Sequence, residues 1–159
     1  MEDVLPPQTE RGSGFEPPRV RQFTVFLENR VGRLQSLLGV LESAAHPIRA
    51  LSIEESGDSA LVRIICSDAD SARRLLRDGG FPFGEIDLLA VQLPRKKPQP
   101  LIAICSVLLS AEINIHYVYP FLLGPHGPAL ALYVEDAVLA EQLLIKKGFT
   151  LIGESDLKP

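Results

Sequence analysis

From residue 21 onward the apolar positions keep changing period, and each change marks a new element. In QFTVFLE, residues 22–28, Phe23, Val25 and Leu27 alternate with Thr24, Phe26 and Glu28, the period of a strand. Leu34, Leu37, Leu38, Leu41 and Ala44 then fall at helical spacing, closed by His46-Pro47. IRALSIEES reads as a second strand, Ser56-Gly57-Asp58-Ser59 as a hairpin turn, and ALVRIICS as a third strand. Asp68 is a helix N-cap before Ala69, Ala72, Leu75 and Leu76, and Gly79-Gly80 ends that helix. A further strand, EIDLLAVQL, completes the order βαββαβ.

The second half repeats the first. At an offset of 67, Leu34, Val40, Leu41, Ala44 and Ile48 match Leu101, Val107, Leu108, Ala111 and Ile115. Past the hairpin the offset becomes 68, and Asp68, Ala69, Gly80 and Phe81 match Asp136, Ala137, Gly148 and Phe149. An insertion confined to a turn is what a duplicated unit tolerates, because loops absorb length changes cheaply. Chance agreement of two amphipathic patterns would not also align the residues at the helix ends. Between Gly80 and Pro98 there is only one strand-like run, residues 86–93. That run has to be the last strand of one repeat and the first of the next, shared or exchanged. The fold class is therefore α+β: two ferredoxin-like βαββαβ repeats with antiparallel sheets and helices on one face. The organisation is a disordered N-terminal tail (1–20), repeat 1 (21–90), repeat 2 (91–154) and a C-terminal tail (155–159).

The strands are not apolar on one face only. Phe26, Leu51, Ile53, Leu61 and Ile65 run out of phase with the core set, and Ala129, Ala131 and Tyr133 oppose Leu130, Leu132 and Val134. A sheet apolar on both faces is normally covered on both. The sheet faces are expected to pack together, within the chain or in a homodimer.

Composition adds exclusions. The chain is 46 % hydrophobic and 23 % charged, with a formal charge of −4. That charge argues against nucleic acid, whose non-specific affinity comes from Lys and Arg. Arg95-Lys96-Lys97 reads as a solvated linker. No apolar run approaches the length of a membrane span, and no secretion signal is seen, so a cytoplasmic location is expected. Cys66 and Cys105 read as two buried small hydrophobes. His46, His116 and His126 are scattered, so no metal site is expected. There is no nucleophile elbow and no phosphate loop. Glu54 and Glu55 are adjacent on a strand and point to opposite faces, so they cannot act as an acid–base pair. No enzyme activity and no cofactor are expected.

FLENRVGRLQSLLGVL, IRALSI and VRIICSDADSARRLL together resemble the ACT domain, the small-molecule-sensing βαββαβ module attached to enzymes such as aspartate kinase and phosphoglycerate dehydrogenase. The resemblance covers nearly all of residues 21–154, as two tandem copies. The family's mark is a Pro-Gly-x-Leu corner after the first strand; here Asn29, Arg30, Gly32 and Leu34 fit, with Val31 in place of proline. In the second copy Pro98 and Leu101 fit, but Gln99 stands at the glycine position and Pro100 follows. The resemblance implies a regulatory protein that binds a small effector, an amino acid in most members, between paired repeats against this corner and the neighbouring second strand. The implied site is Asn29, Arg30, Val31, Gly32, Arg33 and Leu34, with Ser52 on that strand. Asn114, His116, Tyr117 and Tyr119, beside the second corner, would complete a pocket. It also implies a homodimer and a biosynthetic enzyme as a possible partner. The alternative is an interaction subunit that binds a separate enzyme and has no ligand of its own, as the acetolactate synthase small subunit does.

The corner has its own physical logic. A helix starting at Arg33 or Leu34 turns unpaired N–H groups and a positive dipole end towards the loop, which suits a carboxylate. Asn29 offers donors and acceptors, and Arg30 or Arg33 a charge-assisted bond. On the bland reading, Gly32 only permits a tight turn and the arginines are solvated. The second corner keeps the length and loses the glycine, which suggests that Gly32 is not required by the fold alone. Its site is either lost or takes a different ligand.

Overall fold

The computed structural model describes residues 18–43 and 45–159. The tail expected over 1–20 lies mostly outside these residues, as does Ala44. The elements run β1 (Val20–Glu28), α1 (Arg33–Leu41), β2 (Ile48–Ser56), β3 (Ser59–Cys66), α2 (Ala69–Asp78), β4 (Phe83–Gln92), α3 (Pro100–Ser110), β5 (Ile115–Pro120), β6 (Ala129–Val134), α4 (Ala137–Lys146) and α5 (Glu154–Leu157). The predicted caps form: Asp68 accepts from the Ser71 N–H at 3.1 Å, and Asp136 from Leu139 at 3.0 Å. The repeat therefore extends to the first turn of α2 and α4.

One antiparallel sheet of order β2-β3-β1-β4-β6-β5 carries both repeats. β4 is the shared strand. Its first half pairs with β1, from Val20↔Leu88 to Val25↔Phe83, and its second half with β6, from Leu89↔Leu132 to Gln92↔Ala129. It starts at Phe83, three residues before the expected Ile86, because β1 offers partners that far. The last strand of the second repeat shrinks to a bridge between Leu151 and Val91, flanked by hydrogen bonds from Gln92 to Thr150 and from Ile152 to Ala90.

Three cores result. Phe23, Val25, Leu37, Val62, Ile64 and Leu76 pack beneath α1 and α2; Leu89, Ile104, Leu108, Leu132 and Leu144 do the same beneath α3 and α4. The third core lies between the sheet faces and holds Val20, Ala50, Ile65, Leu88, Ala90, Tyr119, Ala131 and Ile152. The expected sheet-to-sheet packing thus occurs within the chain. The outer strands meet where Ala50 bridges Phe121, and the Arg49 carbonyl accepts from Leu122 at 2.8 Å and Leu123 at 3.1 Å.

Several expectations change. Val20 is fully buried and opens β1, so the ordered chain starts before residue 21. The C-terminal tail expected at 155–159 contains most of α5, held by Leu157, which is buried in the third core. A bulge between Ile48 and Ala50 turns Leu51 towards the helices, and Phe26 and Ile53 stay largely exposed. Cys66 is buried, which pushes its thiol up to about 12, but Cys105 is exposed. The reason is that α3 is apolar all round, so its apolar pattern does not say which face turns inward; Ile104, Val107 and Leu108 take the core.

Candidate functional site

The strand-to-helix corner after β1 forms a cleft of about 280 Å³. β1 ends because Asn29 turns out of the ladder. Its backbone N–H bonds the Asp58 carbonyl at 2.8 Å, and its side-chain amide bonds Glu55 Oε1 at 2.7 Å and the Gly57 carbonyl at 3.1 Å. Gly32 then adopts φ 85°, ψ −11° as the N-cap of α1. A residue without a side chain cannot cap, so the first-turn N–H groups of Leu34 and Gln35 receive no side-chain acceptor from it. No acidic residue occupies that first turn either. A Cβ on Gly32 would meet nothing within 4 Å, so the approach to this helix end is open.

The cleft walls divide by chemistry. Leu27, Leu34, Ile53 and Val62 give an apolar floor, while Asn29, Arg30, Arg33, Glu28 and Glu55 give a polar rim. The two arginines are not equivalent. Arg30 is paired with Glu28 at 2.7 Å, in solvent. Arg33 has no carboxylate partner among the described residues; its Nε is shielded from water and lacks an acceptor. Its guanidinium lies 5.4 Å from the centre of the Phe81 ring, which fixes the side chain without neutralising it. Arg33 and Leu34, the first two residues of the uncapped helix α1, both line this cleft.

Not all expected site residues meet here. Asn29, Arg30, Arg33 and Leu34 line the cleft, whereas Val31 points fully into solvent. Ser52 does not line it, because it stands on the opposite face of β2 from Ile53 and Glu55. The second-repeat residues lie elsewhere. Asn114 borders an apolar groove beside α3, and His116 stacks on Tyr133 with ring centres 5.1 Å apart. Tyr117 and Tyr119 enter the core between the sheets, because a bulge after Ile115 shifts the phase of β5. There Gln22, fully buried, donates to the Tyr117 hydroxyl at 2.9 Å and accepts from the Tyr119 hydroxyl at 2.7 Å. Arg63 stacks 3.9 Å over the Tyr117 ring. The space between the repeats is filled by these side chains, and the corner cleft is lined only by residues 27–62.

Sequence reasoning missed Ile53 and Glu55 as site residues. The signal was available: once Glu54 and Glu55 are placed on opposite faces, Glu55 shares its face with Ile53.

The second corner repeats the geometry with different chemistry. Gln99 takes the N-cap position of α3 at φ 55°, ψ 55°, and Pro100 follows as the first helical residue. Both corners thus require a left-handed residue, though not a glycine, so the geometry of the turn by itself accounts for Gly32. Gln99 adopts the same region at a cost of about 1–2 kcal/mol.

A larger cleft of about 650 Å³ lies between Arg19, Arg21, Asp87 and residues 153–156. Its two arginines are already paired, Arg19 with Glu141 at 3.0 Å and Arg21 with Asp87 at 2.9 Å and Glu85 at 2.6 Å. It offers an incoming anion less than the corner does. Among the described residues, no group of three or more His, Cys, Asp or Glu is placed to hold a metal ion, and no helix is long and apolar enough to cross a membrane.

The sequence model described as the ACT domain pair matches residues 19–159. Among solved structures, a protein of Bacteroides thetaiotaomicron is similar at 28 % identity, with 88 % of this chain and 96 % of that one covered and a TM-score of 0.78. The ligand-free regulatory subunit of aspartate kinase from Thermus thermophilus shares the fold at 11 % identity, covering 82 % of this chain and 93 % of that one, with a TM-score of 0.53. No curated protein matches the chain in sequence.

Proposed function

The chain belongs to the ACT family as a domain pair, and from that premise we propose that it is a non-catalytic regulatory protein that binds an amino-acid effector at the corner of its first repeat. The observation that carries this reading is Arg33, a cation without a carboxylate partner among the described residues, set beside an uncapped helix end in a cleft of about 280 Å³. Sites for small molecules commonly span about 300–1,000 Å³, so this one suits a ligand of amino-acid size. The effector's carboxylate would meet Arg33 and the N–H groups of Leu34 and Gln35, its ammonium group Glu55, and its side chain the floor of Leu27, Ile53 and Val62. An apolar side chain of modest length fits that floor best.

The family resemblance placed the effector between repeats. The reading here puts it within the first repeat, because side chains fill the space between the sheets. Thermal melting of the protein against each of the twenty amino acids tests the reading. A concentration-dependent rise with one or a few apolar amino acids supports it, since a ligand that binds only the folded state stabilises by mass action. No rise with any of the twenty would overturn it.

A further inference from the structure

The outward face of α3 has a composition unlike that of its counterpart α1. At the offset of 67, the outward positions Gln35 and Glu42 of the first repeat become Ile102 and Leu109 in the second, and Arg33 becomes Pro100. The result is an eleven-residue helix, PLIAICSVLLS, without one charged side chain. Its inward residues are buried, yet Leu101 is 53 % exposed, Ile102 60 % and Leu109 75 %. Leu101, Cys105 and Leu109 form one stripe at i, i+4 and i+8. The stripe borders an uncharged groove of about 510 Å³ that runs from α3 to Ile113 and Ile115.

Charge is confined to the two ends of this face, and the ends differ in sign. Lys96 and Lys97 lie exposed before the N-terminus of α3, and Glu112 lies exposed just beyond its C-terminus. Two copies of α3 packed antiparallel about a two-fold axis would set the basic end of each against the acidic end of the other, and would oppose the helix dipoles favourably. A parallel arrangement would set like charges together. The face is thus complementary to itself in one orientation.

We propose that this face is the surface through which two copies of the chain associate, α3 against α3 in antiparallel register. Cys105 is the sixth of the eleven residues, so the two-fold axis passes beside it and brings the two thiols together. Helices packed at about 8–10 Å between axes place facing residues within reach of a disulfide. Cys66 does not compete, because it is buried and its thiol is pushed up to about 12.

Sedimentation velocity of the full chain, with diamide cross-linking read on non-reducing gels, tests this. The wild type is expected to sediment as a dimer at micromolar concentration and to yield a cross-linked dimer that Cys105→Ser abolishes. The double variant Ile102→Gln/Leu109→Glu, which restores the first repeat's residues, should weaken association about a hundredfold, the loss expected from two apolar side chains per copy. Both positions are exposed, so folding, checked by circular dichroism, should be unchanged. Lys96→Glu/Lys97→Glu should also weaken the dimer, and adding Glu112→Lys should strengthen it again. A monomeric wild type would overturn the proposal, even if another protein bound the face. So would a dimer that survives Ile102→Gln/Leu109→Glu, or one in which Cys105 cannot be cross-linked.

Discussion

The Tyr119 hydroxyl donates a 2.7 Å hydrogen bond to the side-chain oxygen of Gln22, joining the second repeat to the first in a water-excluded core. Gln22 spends its amide on Tyr117 and Thr24, at 2.9 and 3.0 Å, so the only fully buried glutamine in the described chain is completely satisfied. Burial pushes the Tyr119 hydroxyl far above the usual phenol range, so it remains a donor at any physiological pH.

Removing one member of that network should cost more than its bond is worth. Tyr119→Phe strands the Gln22 oxygen, and an unsatisfied buried acceptor costs about 1–3 kcal/mol. Urea unfolding is expected to show that loss, and the double variant with Gln22→Leu should recover part of it, because the stranded group is then gone. Strictly additive losses would mean that the two side chains are not coupled.

The two corners should respond oppositely to exchange. Gly32 is left-handed and has open space around it, so Gly32→Ala meets no clash and should cost about 1 kcal/mol in backbone strain alone. Gln99→Gly relieves the same strain and should be neutral or stabilising by up to about 1 kcal/mol, offset by the entropy that glycine adds to the unfolded chain. Chemical denaturation of both variants provides the check. A destabilising Gln99→Gly would mean that the glutamine side chain contributes something the geometry does not show.

Two glutamates should give opposite pH behaviour. Glu85 is held below the ordinary carboxylate range by its bonds to Arg73 and then Arg21. Its contribution is present above the unfolded glutamate value and is lost as pH falls through the lower, folded one. Glu85→Gln should therefore cost roughly 1–2 kcal/mol at neutral pH, and the difference should close in acid. Glu154 is pushed upward by burial, although it accepts from the Arg21 N–H. The stability linked to its proton is full below the unfolded value and is lost as pH rises through the folded one. Glu154→Gln should accordingly close on the wild type in acid and hold up better as pH rises. Stability curves of the two variants, measured from mildly acid to neutral pH, should converge on the wild type from opposite sides.

Much of this fold was legible because the repeat served as its own control. The period changes placed the six main strands and four main helices, and the shortage of strand-like residues between Gly80 and Pro98 required a shared β4. Other features left no local mark. Nothing near Gln99 announces a left-handed conformation, since the corner geometry imposes it. The bulges after Ile48 and Ile115 shift the phase of β2 and β5, which is why Tyr117 and Tyr119 enter a core that simple alternation does not assign. Cys105 was misplaced because a helix apolar on every side gives no moment to orient it. At the candidate site, the corner residues were readable from turn chemistry. The separation of Arg30 from Arg33 was not, because it depends on which carboxylate each one reaches.

The central claim is that the first corner binds an amino acid through Arg33. Isothermal titration with the best-stabilising amino acid tests it most directly, comparing wild type with Arg33→Gln and Arg30→Gln. Removing a cation that has no carboxylate partner among the described residues and would contact the ligand should weaken binding at least about tenfold, as a charge-assisted bond of roughly 1.5–3 kcal/mol implies. Removing Arg30, already paired with Glu28, should change affinity by less than about threefold. Equal losses from both variants, or undiminished binding by Arg33→Gln, would contradict the account.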